Sequence, residues 1–340
     1  MTRVLMVGSD PRERGGMATV TALLLRHGSR VAKIRMIPTH REGPASVRLV
    51  LWLTATVRVA LALRHADVLH AHVSERGSVL RKAGFVLLGR AFKVPVVLHC
   101  HGAEFIDWYQ GLPWPARRAV AWVFQQAAIV AVLGESWRTR YAELLRLRPE
   151  RVVSLGNPIE LPEPVGKPPG LKVVFLGRFG ARKGSADVLR AAAGLPVELV
   201  MAGDGEVAAT KALAVRLGIR AKIHTWLSPA ERDEVLASAH VFVLPSRDEG
   251  LPMALLESMA HGLVPVVSPV GAIAEVVHDG ENGLLVPPGD VAALRGALEA
   301  LVADEGLRDR LAKAARSTVE PFAIGPYLDR LGGHWQSLSG

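Results

Sequence analysis

Two glutamates, Glu249 and Glu257, are the residues whose types and spacing most clearly suggest chemistry, and seven residues separate them. The apolar run 241–244 precedes them, and Pro252 suits the first turn of a helix, where its missing N–H has no cost. We therefore expect Glu249 in the loop before that helix and Glu257 about one and a half turns into it. A carboxylate accepts two hydrogen bonds side by side, which suits the vicinal hydroxyls of a ribose or a hexose.

Backbone N–H groups at the start of the same helix add an anion site. Free amides at a helix N-terminus can hold a phosphate oxygen, and here they belong to Gly250, Leu251 and Met253. With the glutamates they predict a site for a phosphorylated sugar or a nucleotide. The structural alternative makes Glu249 a residue that stabilises the helix dipole and Glu257 a solvated helix residue.

Two cations, Arg178 and Lys183, follow the apolar run 173–176 in a glycine-containing segment. A diphosphate leaving group gains negative charge as its bond to a sugar breaks, and fixed cations stabilise that charge more in the transition state than in the ground state. Arg182 lies between them, and its role stays open. The alternative is a solvated basic loop.

The segment 201–206 contains Gly203, Asp204 and Glu206 directly after another apolar run. Two acids one residue apart could indicate a metal site, but glycines on both sides of Asp204 favour a tight turn. We therefore expect no metal, so that Arg178 and Lys183 replace a cation at the diphosphate.

The first half of the chain offers a glycine-rich loop and a set of histidines. The loop 8–16 ends in Gly16 before a predicted helix, where a backbone amide could approach a phosphate. His101 follows the strand 94–98 and can hydrogen-bond a sugar hydroxyl without permanent charge; a satisfied structural histidine is the alternative. His70 and His72, at another strand end, are predicted to line an acceptor cleft. His99 with His101 lacks a Glu or Cys partner at ligand spacing, so a metal is not expected there.

These residues must be positioned by alternating strands and helices. Short β-branched runs separated by helical patterns favour parallel sheets covered on both faces. The alternation of strands and helices restarts at Leu171, after a Pro/Gly cluster at 163–170 that indicates a linker. We expect an α/β protein of two doubly wound domains. Their predicted bounds are 1–162 and 163–325, and a final helix, 326–340, is predicted to pack back on the first domain.

Composition limits the class of protein. The chain has 340 residues, 49% of them hydrophobic and 21% charged, which fits two ordinary cores. A single cysteine, Cys100, excludes an internal disulfide and favours the cytoplasm. We expect no secretory signal. The run Val47–Leu63 is short for a membrane span, and Arg48 opens it while Arg58 interrupts it.

Charge is distributed unevenly. The net charge is +9, and up to Pro162 we count 23 Lys and Arg against 11 Asp and Glu, a net of +12. A predicted helix at 76–93 carries four cations on one face, which would attract an anionic leaflet and a lipid-linked acceptor; a solvated face is the alternative. Aromatic residues are only 5%, which disfavours nucleic acid as a partner. The four cations are Arg76, Lys82, Arg90 and Lys93.

The segment around the two glutamates resembles the donor-site signature of the family-4 retaining glycosyltransferases, a family that includes glycogen synthases and mannosyltransferases. The resemblance spans about 45 residues and rests on Gly250-Leu251-Pro252, Met259-Ala260-His261-Gly262, Pro265-Val266-Val267-Ser268, Gly271-Ala272-Ile273-Ala274-Glu275 and Asn282-Gly283-Leu284-Leu285-Val286. It implies the GT-B fold, in which two Rossmann-like domains face each other across a cleft.

The resemblance also implies roles for the candidate residues. Glu257 would receive the ribose hydroxyls, Glu249 the donor sugar, and Arg178 and Lys183 the diphosphate. The backbone of Gly250 and Leu251 would meet the sugar or phosphates, Gly16 would approach the donor phosphate, Gly203 would lie near the nucleotide base, and His101 would lie close to the transferred sugar. A nucleoside-diphosphate sugar would be the donor, with no cofactor.

We therefore predict a retaining, metal-independent glycosyltransferase that moves a hexosyl-type sugar onto a sugar-containing acceptor, in polysaccharide or glycoconjugate synthesis. Its expected location is the cytoplasm, with peripheral contact at the inner face of the plasma membrane. Two alternatives stay open: a nucleotide-sugar epimerase or phosphorylase on the same fold, and a non-catalytic basic protein that binds membranes or nucleic acid.

Overall fold

The computed structural model describes residues 1–13, 15–41 and 44–339 and divides into two compact units. The first comprises Met1–Pro158 with the C-terminal segment from Ile324, and the second comprises Ile159–Ala323. The first boundary, at Pro158, lies four residues before the predicted boundary at 162, and the second, at Ala323, lies two residues before the predicted boundary at 325. The reason is local pairing, since the Ile159 amide donates to the Phe322 carbonyl at 2.9 Å.

The first unit is built on a six-stranded parallel sheet with the order β2-β1-β3-β4-β5-β6. Its strands are β1 (Arg3–Ser9), β2 (Lys33–His40), β3 (Val68–Val73), β4 (Val96–Cys100), β5 (Ile129–Val132) and β6 (Val152–Ser154). Its helices are α1 (Gly16–His27), α2 (Ala45–Leu63), α3 (Gly77–Ala91), α4 (Phe105–Gln110), α5 (Trp114–Gln125), α6 (Glu135–Leu145) and, at the end of the chain, α13 (Ile324–Leu338).

Helices cover this sheet because its central strands are apolar on both sides. Strands β3, β4 and β5 are buried at every residue, as parallel strands between two helical layers are. Helix α13 packs against α1, and its Trp335 indole N–H donates to His70 Nδ1 of β3 at 3.2 Å. The last helix therefore belongs to the first unit.

Helix α2 has the length and hydropathy of a membrane span. Among the described residues it is the one helix that meets both criteria, over Ser46–Leu63, and 22% of that window is buried within the protein. Ala55, Val59 and Leu63 are buried, and the helix packs against β2 and α3. One side of α2 is therefore part of the core of this unit.

The prediction of four cations on one face of a helix at 76–93 is wrong. Arg76 and Lys93 lie just outside α3, with φ of 54° and 57°. Lys82 is 3% exposed, and its ammonium donates to the Thr39 hydroxyl at 2.6 Å. Burial, with a smaller contribution from neighbouring Arg81, lowers the pKa of Lys82 to about 7. Lys82 therefore lies on the buried side of α3.

The second unit repeats the plan with the strand order β12-β11-β10-β7-β8-β9, again parallel throughout. Its strands are β7 (Lys172–Leu176), β8 (Glu198–Ala202), β9 (Ala221–His224), β10 (Val241–Leu244), β11 (Val264–Val267) and β12 (Leu284–Leu285). Its helices are α7 (Ser185–Ala192), α8 (Val207–Arg216), α9 (Pro229–Ser238), α10 (Met253–Ala260), α11 (Val291–Ala303) and α12 (Glu305–Thr318).

The chain changes direction across this second sheet between β7 and β10. It runs outward from β7 through β8 to β9 and then returns to the other side of β7. Ligands of open α/β sheets bind beyond the carboxyl ends of the strands at such a switch point. The predicted linker 163–170 lies within this unit, where the Lys167 ammonium donates to the carbonyls of Leu236 and Ala237.

Candidate functional site

The loops after β7, β8 and β10 carry most of the predicted residues. Arg178 and Lys183 follow β7, Gly203 follows β8, and Glu249 follows β10. These three strands are neighbours in the sheet and run parallel. Their loops therefore emerge at one edge, at the switch point of the second unit.

Lys183 and Glu249 are in direct contact. The Lys183 ammonium donates to Glu249 Oε1, and the Ser246 hydroxyl donates to the same oxygen at 2.7 Å. The exposed fractions of the Lys183 and Glu249 side chains are 15% and 6%. A buried carboxylate needs such partners, since burying an uncompensated charge is costly. The sequence predicted that the loops carrying Lys183 and Glu249 lie close together, but nothing in it indicated a role for Ser246.

Arg247 lies in the loop that carries Glu249 and donates hydrogen bonds to the loop that carries Lys183. Its backbone amide donates to the Arg182 carbonyl at 2.8 Å, and its guanidinium donates to the Ala181 carbonyl at 2.5 Å and to Asp187 at 3.1 Å. The Arg182 guanidinium in turn donates to the Asp248 carbonyl at 3.3 Å. Each arginine therefore binds a backbone carbonyl of the other loop. Arg182, whose role the sequence left open, thus contributes to the contact between the two loops.

A glycine makes the close approach of these loops possible. Gly184 has φ of 70°, and a Cβ there would lie 2.6 Å from the Pro245 carbonyl oxygen. A larger residue would meet both a strained backbone and a clash. The Gly184 position therefore helps to set the distance between the lysine loop and the glutamate loop.

Gly271 constrains the backbone of Glu249 and Gly250. Its φ is 60°, and a Cβ there would lie 2.0 Å from the Glu249 carbonyl oxygen. The next amide, of Ala272, donates to the Gly250 carbonyl at 2.9 Å. Pro252 is the N-cap of α10, with ψ of 128°, and not its first helical residue; the helix therefore begins one residue later than its sequence suggested.

The turn after β8 packs against the loop after β7. A Cβ on Gly203 would lie 1.9 Å from the Gly177 carbonyl oxygen, and the Phe179 amide donates to the Asp204 carbonyl at 2.7 Å. The Arg178 guanidinium lies 3.8 Å from the Asp204 carboxylate, and both side chains are more than half exposed. Such an exposed pair contributes little to stability, so Arg178 can exchange this partner for another anion.

Glu257 lies in α10 beside Arg232 of α9, with 3.2 Å between the guanidinium and the carboxylate. Burial raises the pKa of Glu257 to about 7, opposed by the charge of Arg232 and assisted by Asp233 and Glu160. This carboxylate is therefore poorly solvated by water, and hydrogen-bond donors from a ligand would stabilise its charged form.

In the first unit, His101 follows β4 and is half-buried. Its amide donates to the Val73 carbonyl at 2.8 Å, and its Nε2 lies 2.9 Å from Nδ1 of His72. Burial lowers the pKa of His101 to about 4, opposed by a hydrogen bond with Asn157. A neutral imidazole at this strand end suits hydrogen bonding to a sugar hydroxyl.

Three further histidines lie behind His101. His70, His72 and His99 are fully buried, so the prediction that His70 and His72 line a cleft is wrong. They come from adjacent strands, His72 opposite His99 in the register, and burial lowers the pKa of each. These histidines therefore form a neutral cluster within the sheet layer that supports His101.

The three buried histidines have the spacing of a possible metal site. Ring nitrogens of His70, His72 and His99 lie within 4.8 Å of one another, which makes them the one candidate set among the described residues. Trp335 donates to Nδ1 of His70, so neutral His70 carries its proton on Nε2 and offers no lone pair there. The rings do not make a three-ligand set, and the prediction of metal independence stays a prediction.

Gly16 begins α1 in the first unit. Gly15 before it has φ of 123°, with no atom within 4 Å of a Cβ placed there, and its carbonyl accepts from the Thr19 amide at 3.1 Å. The loop residue Arg14 lies outside the described residues. His101 and Gly16 thus belong to the first unit and the other seven predicted residues to the second; their convergence on one donor stays a prediction.

Comparison with known proteins shows the family. The sequence profile described as "Glycosyl transferase 4-like domain" matches residues 3–158, and the one described as "Glycosyl transferases group 1" matches residues 160–318. A D-inositol 3-phosphate glycosyltransferase of Acidothermus cellulolyticus is 30% identical over 82% of this chain and 71% of that protein. A lipopolysaccharide core biosynthesis glycosyltransferase of Rhizobium meliloti is 39% identical, but the match spans 43% of this chain and only 44% of that relative.

The fold is shown by solved structures. The Anabaena protein HepE, crystallised in complex with UDP-glucose, superposes with a TM-score of 0.80 over 99% of this chain and 100% of that one, at 15% identity. These findings support glycosyl transfer and favour neither an epimerase, a phosphorylase nor a non-catalytic protein. The chain, with its two Rossmann-like units of the GT-B fold, belongs to the family-4 retaining glycosyltransferases and is an enzyme that transfers a sugar from a nucleotide-sugar donor to an acceptor.

Proposed function

We propose that this enzyme transfers a hexosyl group from a UDP-sugar and that Lys183 and Glu249 hold the two sides of the bond that breaks. The contact between these two side chains carries the proposal. In a nucleotide sugar the diphosphate and the sugar ring share one C1–O bond, so a cation for the phosphate and a carboxylate for the sugar must be neighbours. UDP is proposed as the nucleotide because HepE, a protein of the same fold, was crystallised with UDP-glucose.

The proposed reaction is a same-face displacement. The C1–O bond to the diphosphate breaks while an acceptor hydroxyl forms the new bond to C1, and a diphosphate oxygen takes the proton of that hydroxyl. Lys183 and Arg178 stabilise the charge that develops on the leaving group. Glu249 and His101 orient the sugar, and no protein nucleophile takes part.

Other predicted residues complete the donor site. Glu257 accepts hydrogen bonds from the ribose hydroxyls, the backbone of Gly250 and Leu251 contacts the sugar or phosphates, Gly203 lies near the base, and Gly16 approaches a phosphate. The close contacts of Gly203 and of the Glu249–Gly250 backbone support these roles, since other parts of the protein fix the position of both segments. We propose that no metal or other cofactor takes part.

We further propose that the acceptor is a lipid-linked sugar used in polysaccharide or glycoconjugate synthesis and that the enzyme works in the cytoplasm at the inner face of the plasma membrane. The relative from Rhizobium meliloti is named for lipopolysaccharide core biosynthesis. The net charge of +9 also favours an anionic surface as a partner.

The test is a panel of UDP-, GDP-, ADP- and TDP-sugars scored by thermal shift, followed by nucleoside-diphosphate release with candidate acceptors and with EDTA. We expect stabilisation by one UDP-hexose and acceptor-dependent UDP release that EDTA leaves unchanged. Lys183→Met should slow release by about 10²–10³-fold, whereas Lys211→Met, on the exposed side of α8, should not. Stabilisation by none of the nucleotide sugars, or full activity of Lys183→Met, would refute the proposed site.

A further inference from the structure

Helices α2, α3 and α5 of the first unit form a continuous layer, because α3 packs against both α2 and α5. We call their outward sides the three-helix face. Exposed large hydrophobic residues are concentrated there, and they are Val47, Leu49, Val50, Leu53, Val57 and Leu61 on α2, Leu80 and Leu87 on α3, and Trp114 and Trp122 on α5. In the rest of the described part of the first unit, the exposed large hydrophobic residues are Met1 and Phe92.

The apolar residues of α2 form a stripe opposite its buried side. Val50, Val57 and Leu61 recur at helical spacing and are each more than half exposed, whereas Ala55 and Val59 on the other side are buried. A contiguous apolar patch that a protein leaves exposed marks a surface for an apolar partner or a membrane. Here the protein covers one side of α2 and leaves the other to an apolar partner.

Charge on the three-helix face has one sign. None of the three helices contains Asp or Glu, and their exposed cations are Arg48, Arg58, Arg90, Arg117 and Arg118. Trp114 and Arg118 form a cation–π pair at 5.8 Å. Exposed tryptophan and arginine beside an apolar stripe are the composition of a helix layer that lies at a membrane interface.

We propose that the three-helix face docks the enzyme on an anionic lipid surface, with the α2 stripe in the acyl boundary and the arginines on the headgroups. The buried side of α2 supports lying on the membrane over spanning it, since Val59 and Ala55 face the protein. The choice of lipid as partner rests on the proposed lipid-linked acceptor, but docking is measurable without donor or transfer.

The experiment is flotation of the full chain with vesicles of phosphatidylcholine alone or with added phosphatidylglycerol. We expect binding to the anionic vesicles that weakens with salt and that a sodium carbonate wash reverses. The double variant Leu53→Glu/Val57→Glu should lower the bound-to-free ratio at least about tenfold, and Arg58→Glu/Arg118→Glu should do so too. Each variant keeps the buried sides of the helices, and circular dichroism checks folding.

Matched controls lie on α8 of the second unit. Val215→Glu changes an apolar residue that is even more exposed than Leu53 and Val57, and Lys211→Glu/Arg216→Glu reverses two exposed cations; both should bind vesicles as the parent does. The proposal would be overturned if the controls lost as much binding as the α2 and arginine variants, or if those variants bound vesicles unchanged. It would also be overturned if binding resisted carbonate, or if this face mediated self-association without vesicle binding. UDP release with a soluble acceptor separates these outcomes from failure of the proposed transfer.

Discussion

The ammonium of Lys183 donates to a carboxylate oxygen of Glu249, and the two residues come from loops 66 positions apart in the chain. Both side chains are largely buried, so neither charge is well solvated without the other. A donor bound at these loops would place its diphosphate and sugar beside this ion pair. The protein therefore holds two opposite charges in fixed positions, which is the condition for effective electrostatic catalysis.

Substitution of Lys183 by Met should lower kcat by about 10²–10³-fold, because one fixed donor to the leaving group is lost. It should also lower the free energy of unfolding by about 3–5 kcal/mol, since the buried Glu249 carboxylate loses its counter-charge. The double variant Lys183→Met/Glu249→Gln should regain much of that stability and none of the activity. Denaturant unfolding and UDP release measure the two effects, and a double variant as active as the parent would contradict the assigned roles.

Ser246→Ala removes a hydrogen bond to the Glu249 carboxylate. We expect kcat to fall about tenfold with little change in donor KM, because bonds to charged groups contribute about 1.5–3 kcal/mol and part of this orients Glu249. Ser258→Ala is the matched control, since Ser258 is equally buried but donates to the Leu255 carbonyl within α10. Similar kinetics in both variants would show that Ser246 acts on stability alone.

The sequence allowed the fold and the position of the donor loops to be predicted because both depend on local patterns. Apolar runs followed by Gly, Arg or Glu identified the strand ends, and the strand order then brought Lys183 and Glu249 together. Ser246 and Arg247 were missed because their roles depend on which loops become neighbours. Nothing local distinguishes a serine that bonds a distant carboxylate from one that faces water.

The basic helix at 76–93 was misread for a related reason. Its cations fit helical spacing, but the pattern alone does not say which side of a helix faces the sheet. Lys82 fell on the buried side, where Thr39 of β2 accepts its hydrogen bond. The exposed apolar side of α2 was likewise hidden, because the sequence shows an apolar run without showing which residues the core covers.

Glu257→Gln should change how stability depends on pH. Burial raises the pKa of Glu257 from 4.5 to about 7, so between these values the folded protein holds a proton that the unfolded chain releases. The free energy of unfolding contributed by this group is therefore highest at low pH and falls as pH rises to about 7. The free energy of unfolding of the parent minus that of the variant should therefore fall by at most about 3 kcal/mol as pH rises over this range. Urea titrations from about pH 5 to about pH 8 test this, and parallel curves would contradict it.

The same variant should weaken UDP binding, because a neutral amide is a poorer acceptor for ribose hydroxyls than a carboxylate. We expect at least about a tenfold higher Kd above pH 7, where the parent carboxylate is charged, and a smaller difference at lower pH. Calorimetric titration with UDP measures this. An unchanged Kd above pH 7 would remove Glu257 from the ribose site.

Gly271→Ala should separate backbone strain from damage to the site. Gly271 and Gly262 have similar φ, 60° and 69°, but a Cβ on Gly271 would lie 2.0 Å from the Glu249 carbonyl oxygen, whereas nothing lies within 4 Å of a Cβ on Gly262. Both substitutions should cost about 1–2 kcal/mol of stability from the left-handed backbone. Only Gly271→Ala should also displace Glu249 and lower donor affinity, since the carbonyl must move. Equal losses of donor affinity in the two variants would show that strain alone, and not contact with the Glu249 backbone, explains the need for glycine at 271.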